Sequence, residues 1–130
     1  MTHKVFDLGV ASQIGTYSDA IETEQNMRWL FTSGTPGLET DGKLPSDITG
    51  QTEVAWKHIL RILDQAGMAV EDIVKVTQYL TRVEDIAAYA AVRKRVLGGV
   101  KPAFMLLVVP QLVRPEFLLE VEIIAAKGKN

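Results

Sequence analysis

The stretch that decides the fold is KPAFMLLVVPQLVRPEFLLEVEIIAA, residues 101–126. Residues 103–109 form an uninterrupted apolar run of strand length, and a loop bounded by prolines follows. Residues 117–125 then set two glutamates among Leu, Val and Ile, which is typical of a second strand. A strand that is apolar at every position needs cover on both of its faces. The first strand therefore predicts a sheet covered by helices on one side and by a neighbouring subunit on the other.

The two glutamates of this second strand are the first candidates for chemistry. Alternate side chains of a strand share a face, so Glu120 and Glu122 lie on one face, about 6.6 Å apart along the strand. A carboxylate among apolar side chains is costly to desolvate unless it is paired or used. We therefore interpret Glu120 as a catalytic candidate and Glu122 as structural. The alternative for Glu120 is a solvated strand face, or a carboxylate tied to a backbone amide or an arginine.

Upstream of this tract, the pattern predicts a strand and a long helix. Residues 28–33 place Trp29 and Phe31 on one face of a strand, and the turn-forming sequence TPGLETDGKLP follows Gly34. Ser46 or Asp47 can cap a helix that runs to about residue 66. Its apolar face is spaced as in a helix and comprises Ala55, Ile59, Ile62, Leu63 and Ala66. Gly67 fits a left-handed cap at the end of this helix.

Three further strands and a second helix complete the predicted order. Residues 73–80 are rich in β-branched side chains, and residues 5–8 and 18–22 are short strands around a loop. Thr81 and Glu84 have the spacing of a capping box that opens the second helix. Residues 93–95 supply positive charge to its last turns, and Gly98-Gly99 ends it. The predicted order is β-β-β-α-β-α-β-β, an α+β domain with helices covering one face of a sheet.

Composition narrows the class of function. The chain has 130 residues, which predicts a single domain over residues 1–130, and its formal net charge is −2. The longest basic run is residues 93–95, which argues against a nucleic-acid partner, a ribonuclease activity or an anionic membrane surface. Cysteine is absent, and His3 and His58 lack ligand spacing, so no metal or thiol chemistry is predicted. With no visible signal peptide or membrane span, a cytoplasmic protein is expected.

Short pieces spread over nearly the whole chain resemble one known family. They are Ile14-Gly15-Thr16-Tyr17, Thr32-Ser33-Gly34, Asp72-Ile73-Val74-Lys75, Lys101-Pro102-Ala103-Phe104 and Leu119-Glu120-Val121-Glu122. In order and approximate spacing they resemble the RidA/YjgF family of imine/enamine deaminases, also called endoribonuclease L-PSP. The resemblance implies a chorismate-mutase-like α+β fold, with a mixed sheet and two helices on one face. It also implies a homotrimer with small-molecule ligand clefts between subunits and no cofactor.

Five residues are candidates for the site, some through the resemblance and some through their place in the sequence. Glu120 would position or activate the water that attacks the imine carbon. Tyr17 would reach into the cleft, although here it follows Thr16 where the family usually has proline, and it could instead plug a subunit interface. Ser33 would bind a carboxylate or carbonyl oxygen, or it could simply satisfy a turn. Backbone groups near Ser33 and Ala103 would orient the substrate, and Phe104 would line the cleft.

Phe104 is where the sequence departs from the family pattern. The deaminase members place an arginine there that grips the substrate carboxylate, through a planar set of donors that phenylalanine cannot imitate. Losing it should weaken binding of a small imino acid by roughly 2–5 kcal/mol. The cleft is then predicted to suit a neutral ligand or a larger, more apolar one.

Two functions remain open from the sequence. One is a hydrolytic deaminase that converts C=N to C=O with release of ammonia, with Glu120 handling the water. The other is a non-catalytic trimer of the same fold that binds a small ligand or plays a regulatory role. The glutamate at residue 120 supports the first, and Phe104 together with Thr16 supports the second.

Overall fold

The computed structural model describes residues 3–129. Within these residues, seven strands and two α-helices follow one another: β1 (Lys4–Phe6), β2 (Ala20–Glu22), β3 (Met27–Phe31), β4 (Thr35–Pro36), α1 (Ile48–Gln65), β5 (Ile73–Leu80), α2 (Ile86–Leu97), β6 (Ala103–Val108) and β7 (Leu119–Gly128). β1 and β2 form a separate antiparallel pair. The main sheet has the order β3-β7-β5-β6, and β4 also pairs with β7. β5 and β6 are parallel, and the other pairs are antiparallel.

The predicted α+β layout is confirmed, with differences at its edges. The two-residue strand β4 was not predicted, because a proline-containing pair inside a turn-rich segment carries no strand periodicity. β7 begins at Leu119 and continues to Gly128, whereas the predicted strand covered residues 117–125. The extension exists because β3 pairs along it, from Met27 opposite Gly128 to Phe31 opposite Ile124.

Helix α1 begins and ends as its sequence predicts. The Asp47 carboxylate accepts a hydrogen bond from the Gly50 N–H at 2.8 Å, which satisfies one free donor of the first turn. Gly67 takes a φ of +70°, a left-handed conformation that favours glycine, and Met68 beyond it is buried. The inner face of α1 buries Trp56 and Ile59 completely. Each such side chain stabilises the fold by about 1.5–3 kcal/mol.

The start of α2 differs from the prediction, since the expected capping box does not form. A 3-10 turn over Val83–Asp85 precedes the helix, and Asp85 at the N-cap makes no side-chain cap hydrogen bond. Its carboxylate is bound instead by the Arg82 guanidinium, at 2.8 and 3.2 Å. The Thr81 N–H donates to the Leu118 carbonyl at 3.2 Å, so the backbone at Thr81 still follows the sheet.

Strand β7 separates the two faces of the sheet as its alternation predicts. Leu119, Val121 and Ile123 are fully buried under the helices, together with Val76 and Leu80 of β5. Glu120, Glu122 and Ile124 lie on the other face and are half-buried. We call this second face the open face, because neither helix packs against it.

The open face carries large apolar side chains. Trp29 is 49% exposed and Phe31 is 69% exposed, and their rings stack with centroids 6.3 Å apart. Met105 and Leu107 of β6 are also exposed. An apolar surface of this kind marks an interaction site more often than a solvated face. None of the helices within residues 3–129 is long and apolar enough to cross a membrane.

Buried Gln51 joins α1 to two loops, and its replacement should destabilise the fold. Its amide nitrogen donates to the carbonyls of Pro45 and Glu116, and its oxygen accepts from the Leu118 N–H. We expect Gln51→Ala to lower the free energy of unfolding by about 2–3 kcal/mol, because these backbone groups lose their partners. Chemical denaturation checks this, with Gln65→Ala at the exposed end of α1 as the control. Equal stability of the two variants would contradict the role of Gln51.

Candidate active site

Glu120 projects from β7 onto the open face, between Pro36 of β4 and Tyr79 of β5. No arginine, lysine or hydrogen-bond donor holds its carboxylate among residues 3–129. Burial raises the pKa of Glu120, and the nearby charge of Glu122 raises it further. A carboxylate in this state binds a proton more readily than a solvated one, as a general base at neutral pH requires.

Gly34 lets the Glu120 carboxylate lie against the backbone. A Cβ atom at residue 34 would come 2.5 Å from Oε1 of Glu120, too close for any side chain to fit unless the carboxylate moved. Ser33 precedes this glycine and is exposed, and its carbonyl accepts a hydrogen bond from the Thr35 hydroxyl at 3.1 Å. Ser33, Gly34 and Glu120 therefore lie together as one candidate half-site, which we call the Glu120 patch.

Tyr17 and Phe104 form a second candidate half-site, on the face of β6 that is turned toward the helices. Their rings stack with centroids 5.2 Å apart and an interplanar angle of 20°. The loop that carries Tyr17 is anchored by the next residue, Ser18, whose N–H donates to the Pro102 carbonyl at 3.0 Å and whose hydroxyl donates to the Lys101 carbonyl. The two rings line a cavity of about 490 Å³ together with Ile14, Gly15, Arg93 and Leu106. We call it the Phe104 cavity.

Arg93 is the main correction to the sequence-based interpretation of this region. The sequence grouped it with Lys94 and Arg95 as charge at the end of α2, but only those two are exposed. Arg93 is 8% exposed, and its guanidinium carbon lies 4.4 Å from the centroid of the Phe104 ring. Burial lowers the pKa of Arg93. The signal was present in the sequence, because residue 93 follows Ile86 and Tyr89 at the spacing of one helix face.

A buried polar network holds Arg93 in place. Its Nη1 donates to Oε1 of Gln78 at 2.8 Å, and the Tyr89 hydroxyl donates to the same oxygen at 2.5 Å. The Gln78 amide nitrogen donates to the Met105 carbonyl at 3.1 Å, which ties the network to β6. Gln78 and Tyr89 are completely buried, and burial raises the pKa of Tyr89. Sequence reasoning missed Gln78, because one glutamine in a strand gives no sign of its partners.

One copy of the chain does not bring all five predicted site residues together. Ser33 and Glu120 belong to the Glu120 patch on the open face, whereas Tyr17 and Phe104 line the cavity on the helix side. Ala103 lies at the start of β6, opposite Lys75 of β5. Strand β5 separates β6 from β7 in the sheet. Within residues 3–129 no group of His, Cys, Asp or Glu side chains could hold a metal ion.

The raised pKa of Glu120 predicts a pH-dependent stability. The folded protein binds this proton more tightly than the unfolded chain, so folding stability falls as pH rises above the unfolded value near 4.5. We expect Glu120→Gln to melt at a higher temperature than the wild type at pH 7, with the difference vanishing below pH 4.5. Thermal melts across this range check it, with exposed Glu24→Gln as the control. If Glu120→Gln raised the melting temperature by the same amount at every pH, the raised pKa of Glu120 would not be its cause.

The mixed sheet and its two helices define a class of small α+β proteins, and the comparisons identify the family. The protein-family sequence model for Endoribonuclease L-PSP matches residues 10–127, and the chain belongs to this family. A RutC family protein of Pyrococcus horikoshii is 33% identical over 129 residues, 98% of this chain and 99% of the relative. The putative reactive intermediate deaminase TdcF of Escherichia coli is 27% identical over 118 residues, 88% of this chain and 89% of that one.

Solved structures agree with this assignment. A Rid family protein of unknown function, YyfB from Yersinia pestis, matches with a TM-score of 0.86 and 25% identity, over 98% of this chain and 100% of its own. Escherichia coli TdcF with bound serine matches with a TM-score of 0.73 and 27% identity, over 88% of this chain and 91% of its own. The resemblance to the RidA/YjgF family and the predicted fold are therefore confirmed.

Proposed function

We propose that this protein is a hydrolytic deaminase of an imine or enamine metabolite. The observation that carries the proposal is the Glu120 carboxylate, which is half-buried, lacks a partner among residues 3–129 and has a raised pKa. Family membership supports it, as does a relative that is named a putative reactive intermediate deaminase.

The reaction consumes one water and releases one ammonia. Glu120 takes a proton from water as the oxygen attacks the imine carbon, which forms a tetrahedral aminoalcohol. Glu120 passes this proton to the nitrogen, which gives a neutral aminoalcohol. Glu120 then takes the hydroxyl proton of the aminoalcohol and passes it to the nitrogen as the C–N bond breaks, so that the carbonyl forms and ammonia leaves. Glu120 ends in its starting state, because both protons it accepts are handed to the leaving nitrogen. An imine carbon is already electrophilic, so the proposed mechanism calls on no cofactor.

The proposed assembly is a homotrimer in which the Glu120 patch of one copy faces the Phe104 cavity of the next. Such an arrangement would unite Tyr17, Ser33, Ala103, Phe104 and Glu120 around one ligand. Two features support it: the exposed apolar side chains of the open face, and the division of the predicted site within one copy. The rings of Tyr17 and Phe104 favour an imine with an apolar body over the smallest imino acids.

The test is a direct assay of imine hydrolysis. An amino-acid oxidase would generate short-lived imines from alanine, leucine and phenylalanine, and semicarbazide would trap whatever imine remains. We expect the protein to speed carbonyl formation more for the leucine and phenylalanine imines than for the alanine imine. No acceleration of any imine would overturn the proposal.

The second candidate function is a non-catalytic trimer that binds a small ligand in the same cleft. Phe104 favours it, since the family resemblance places the substrate-gripping arginine at this residue. Binding without turnover that is insensitive to Glu120→Ala would support this alternative over the deaminase. Measured turnover that depends on Glu120 would exclude it.

A further inference from the structure

We propose that Arg93 is the anion-binding residue of the Phe104 cavity, and that the cavity takes a carboxylate attached to an apolar or aromatic body. The inference deepens the proposed function, on which it rests for placing the ligand in this cleft. It names a residue on α2 as the determinant of specificity and gives the ligand its chemical class.

The donors of Arg93 are only partly used. The side chain is 8% exposed and lines the cavity beside Phe104 and Tyr17. Nη1 donates to Gln78, whereas Nε is buried and has no hydrogen-bond partner among residues 3–129. A guanidinium offers five N–H donors in a planar fork that matches a carboxylate. Arg93 therefore retains donors for a ligand after its one structural hydrogen bond is made.

Arg93 also lacks a negatively charged partner among residues 3–129. No carboxylate of residues 3–129 lies within 4.0 Å of its guanidinium. Its neighbours are the amide of Gln78 and the rings of Phe104 and Tyr89, all of them neutral. A buried charge without a counter-charge is strongly unfavourable. A carboxylate entering the cavity would supply the missing negative charge.

The surroundings of Arg93 indicate the chemistry of the rest of the ligand. Gln78 is fixed from two sides, by Tyr89 and by the Met105 carbonyl, so the guanidinium is already oriented before a ligand binds. A pre-organised donor loses little conformational freedom on binding. Most of the remaining cavity wall is apolar and is formed by Ile14, Ile86, Ala90, Phe104, Met105 and Leu106. A ligand that matches both parts has an anionic end and an apolar body.

Stable probes test this without any catalytic turnover. Calorimetry would compare 3-phenylpropanoate with its neutral amide, 3-phenylpropanamide, and with propanoate, which lacks the ring. We expect the wild type to bind the aromatic acid at least about tenfold more tightly than either of the others. Arg93→Met should remove the preference for acid over amide, and Arg93→Lys should keep part of it. Arg95→Met, on the same helix but paired with Glu53 at the surface, should bind like the wild type.

A measurement on the wild type keeps the inference falsifiable if Arg93→Met fails to fold. In wild-type NMR spectra, the acid should shift the Arg93 Nε–H resonance and the amide should not. If Arg93→Met folds, the double variant Arg93→Met with Phe104→Arg returns a guanidinium to the wall of the same cavity, and the acid preference should return. The inference is wrong if the wild type binds acid and amide alike, or if Arg93→Met keeps the preference.

These results separate the inference from the proposed function. Acid binding that depends on Arg93, with no turnover of any imine, would support the anion site and exclude the deaminase. Turnover that depends on Glu120, with no difference in affinity between acid and amide, would support the deaminase and exclude the anion site. If a carboxylate of a neighbouring copy neutralised Arg93, the acid would bind no more tightly than the amide, and the inference would be wrong.

Discussion

Glu120→Gln is expected to lower kcat/KM for imine hydrolysis by about 10²–10⁴, the usual contribution of a general base. Glutamine keeps the size of the side chain and its place against Gly34, but it cannot accept a proton from water at neutral pH. The expected loss is in kcat more than in KM, because the proton transfer occurs in the transition state. Steady-state kinetics on the leucine imine would measure it.

Glu122→Gln is the matched control for this experiment. Glu122 lies two residues along the same strand, on the same face and also half-buried, opposite Thr77. It carries the same formal charge, so its replacement changes the electrostatic field of the open face by a similar amount. We expect kcat/KM to stay within about threefold of the wild type, since the effect of one nearby charge is modest. Equal losses in both variants would mean that the charge of the face, and not a base at residue 120, carries the activity.

Much of the fold was predictable because its signals are local. The alternation in β7, the cap at Asp47 and the left-handed Gly67 each follow from a few neighbouring residues. The strand β4 and the 3-10 turn before α2 were missed for the opposite reason. β4 exists only because β7 pairs with it, and the Thr81 capping box gives way to the Arg82–Asp85 ion pair.

The site was less predictable than the fold. Residues 17, 33, 103, 104 and 120 could be named as candidates from the sequence, but their positions depend on contacts between distant segments. Arg93 shows the same limit, since helical spacing could have placed it on the inner face of α2. Only the packing of α2 on β6 shows that its guanidinium covers Phe104. Gln78 becomes informative only once Tyr89 and Arg93 are seen to share its oxygen.

Gly37→Ala is expected to be the most destabilising small substitution, with a loss of more than about 3 kcal/mol in the free energy of unfolding. A Cβ at this buried residue would lie 2.3 Å from the carbonyl oxygen of Gln51 and 2.5 Å from its Cα. Both atoms belong to the backbone of α1 and cannot rotate away, so the helix or the neighbouring β4 must shift. Because Pro36 of β4 pairs with Glu120, such a shift would disturb the Glu120 patch as well.

Two other glycines show that the effect depends on what the new methyl group meets. At Gly34 the added Cβ would crowd the Oε1 atom of the Glu120 side chain, which can rotate away, so Gly34→Ala should keep most of the stability and lose activity as the carboxylate is displaced. At Gly99 the space is open, and Gly99→Ala should change neither property. Denaturant melts and imine kinetics on the three variants would separate backbone crowding from displacement of the base. A Gly37→Ala protein as stable as Gly99→Ala would show that α1 and β4 are not as tightly packed as described.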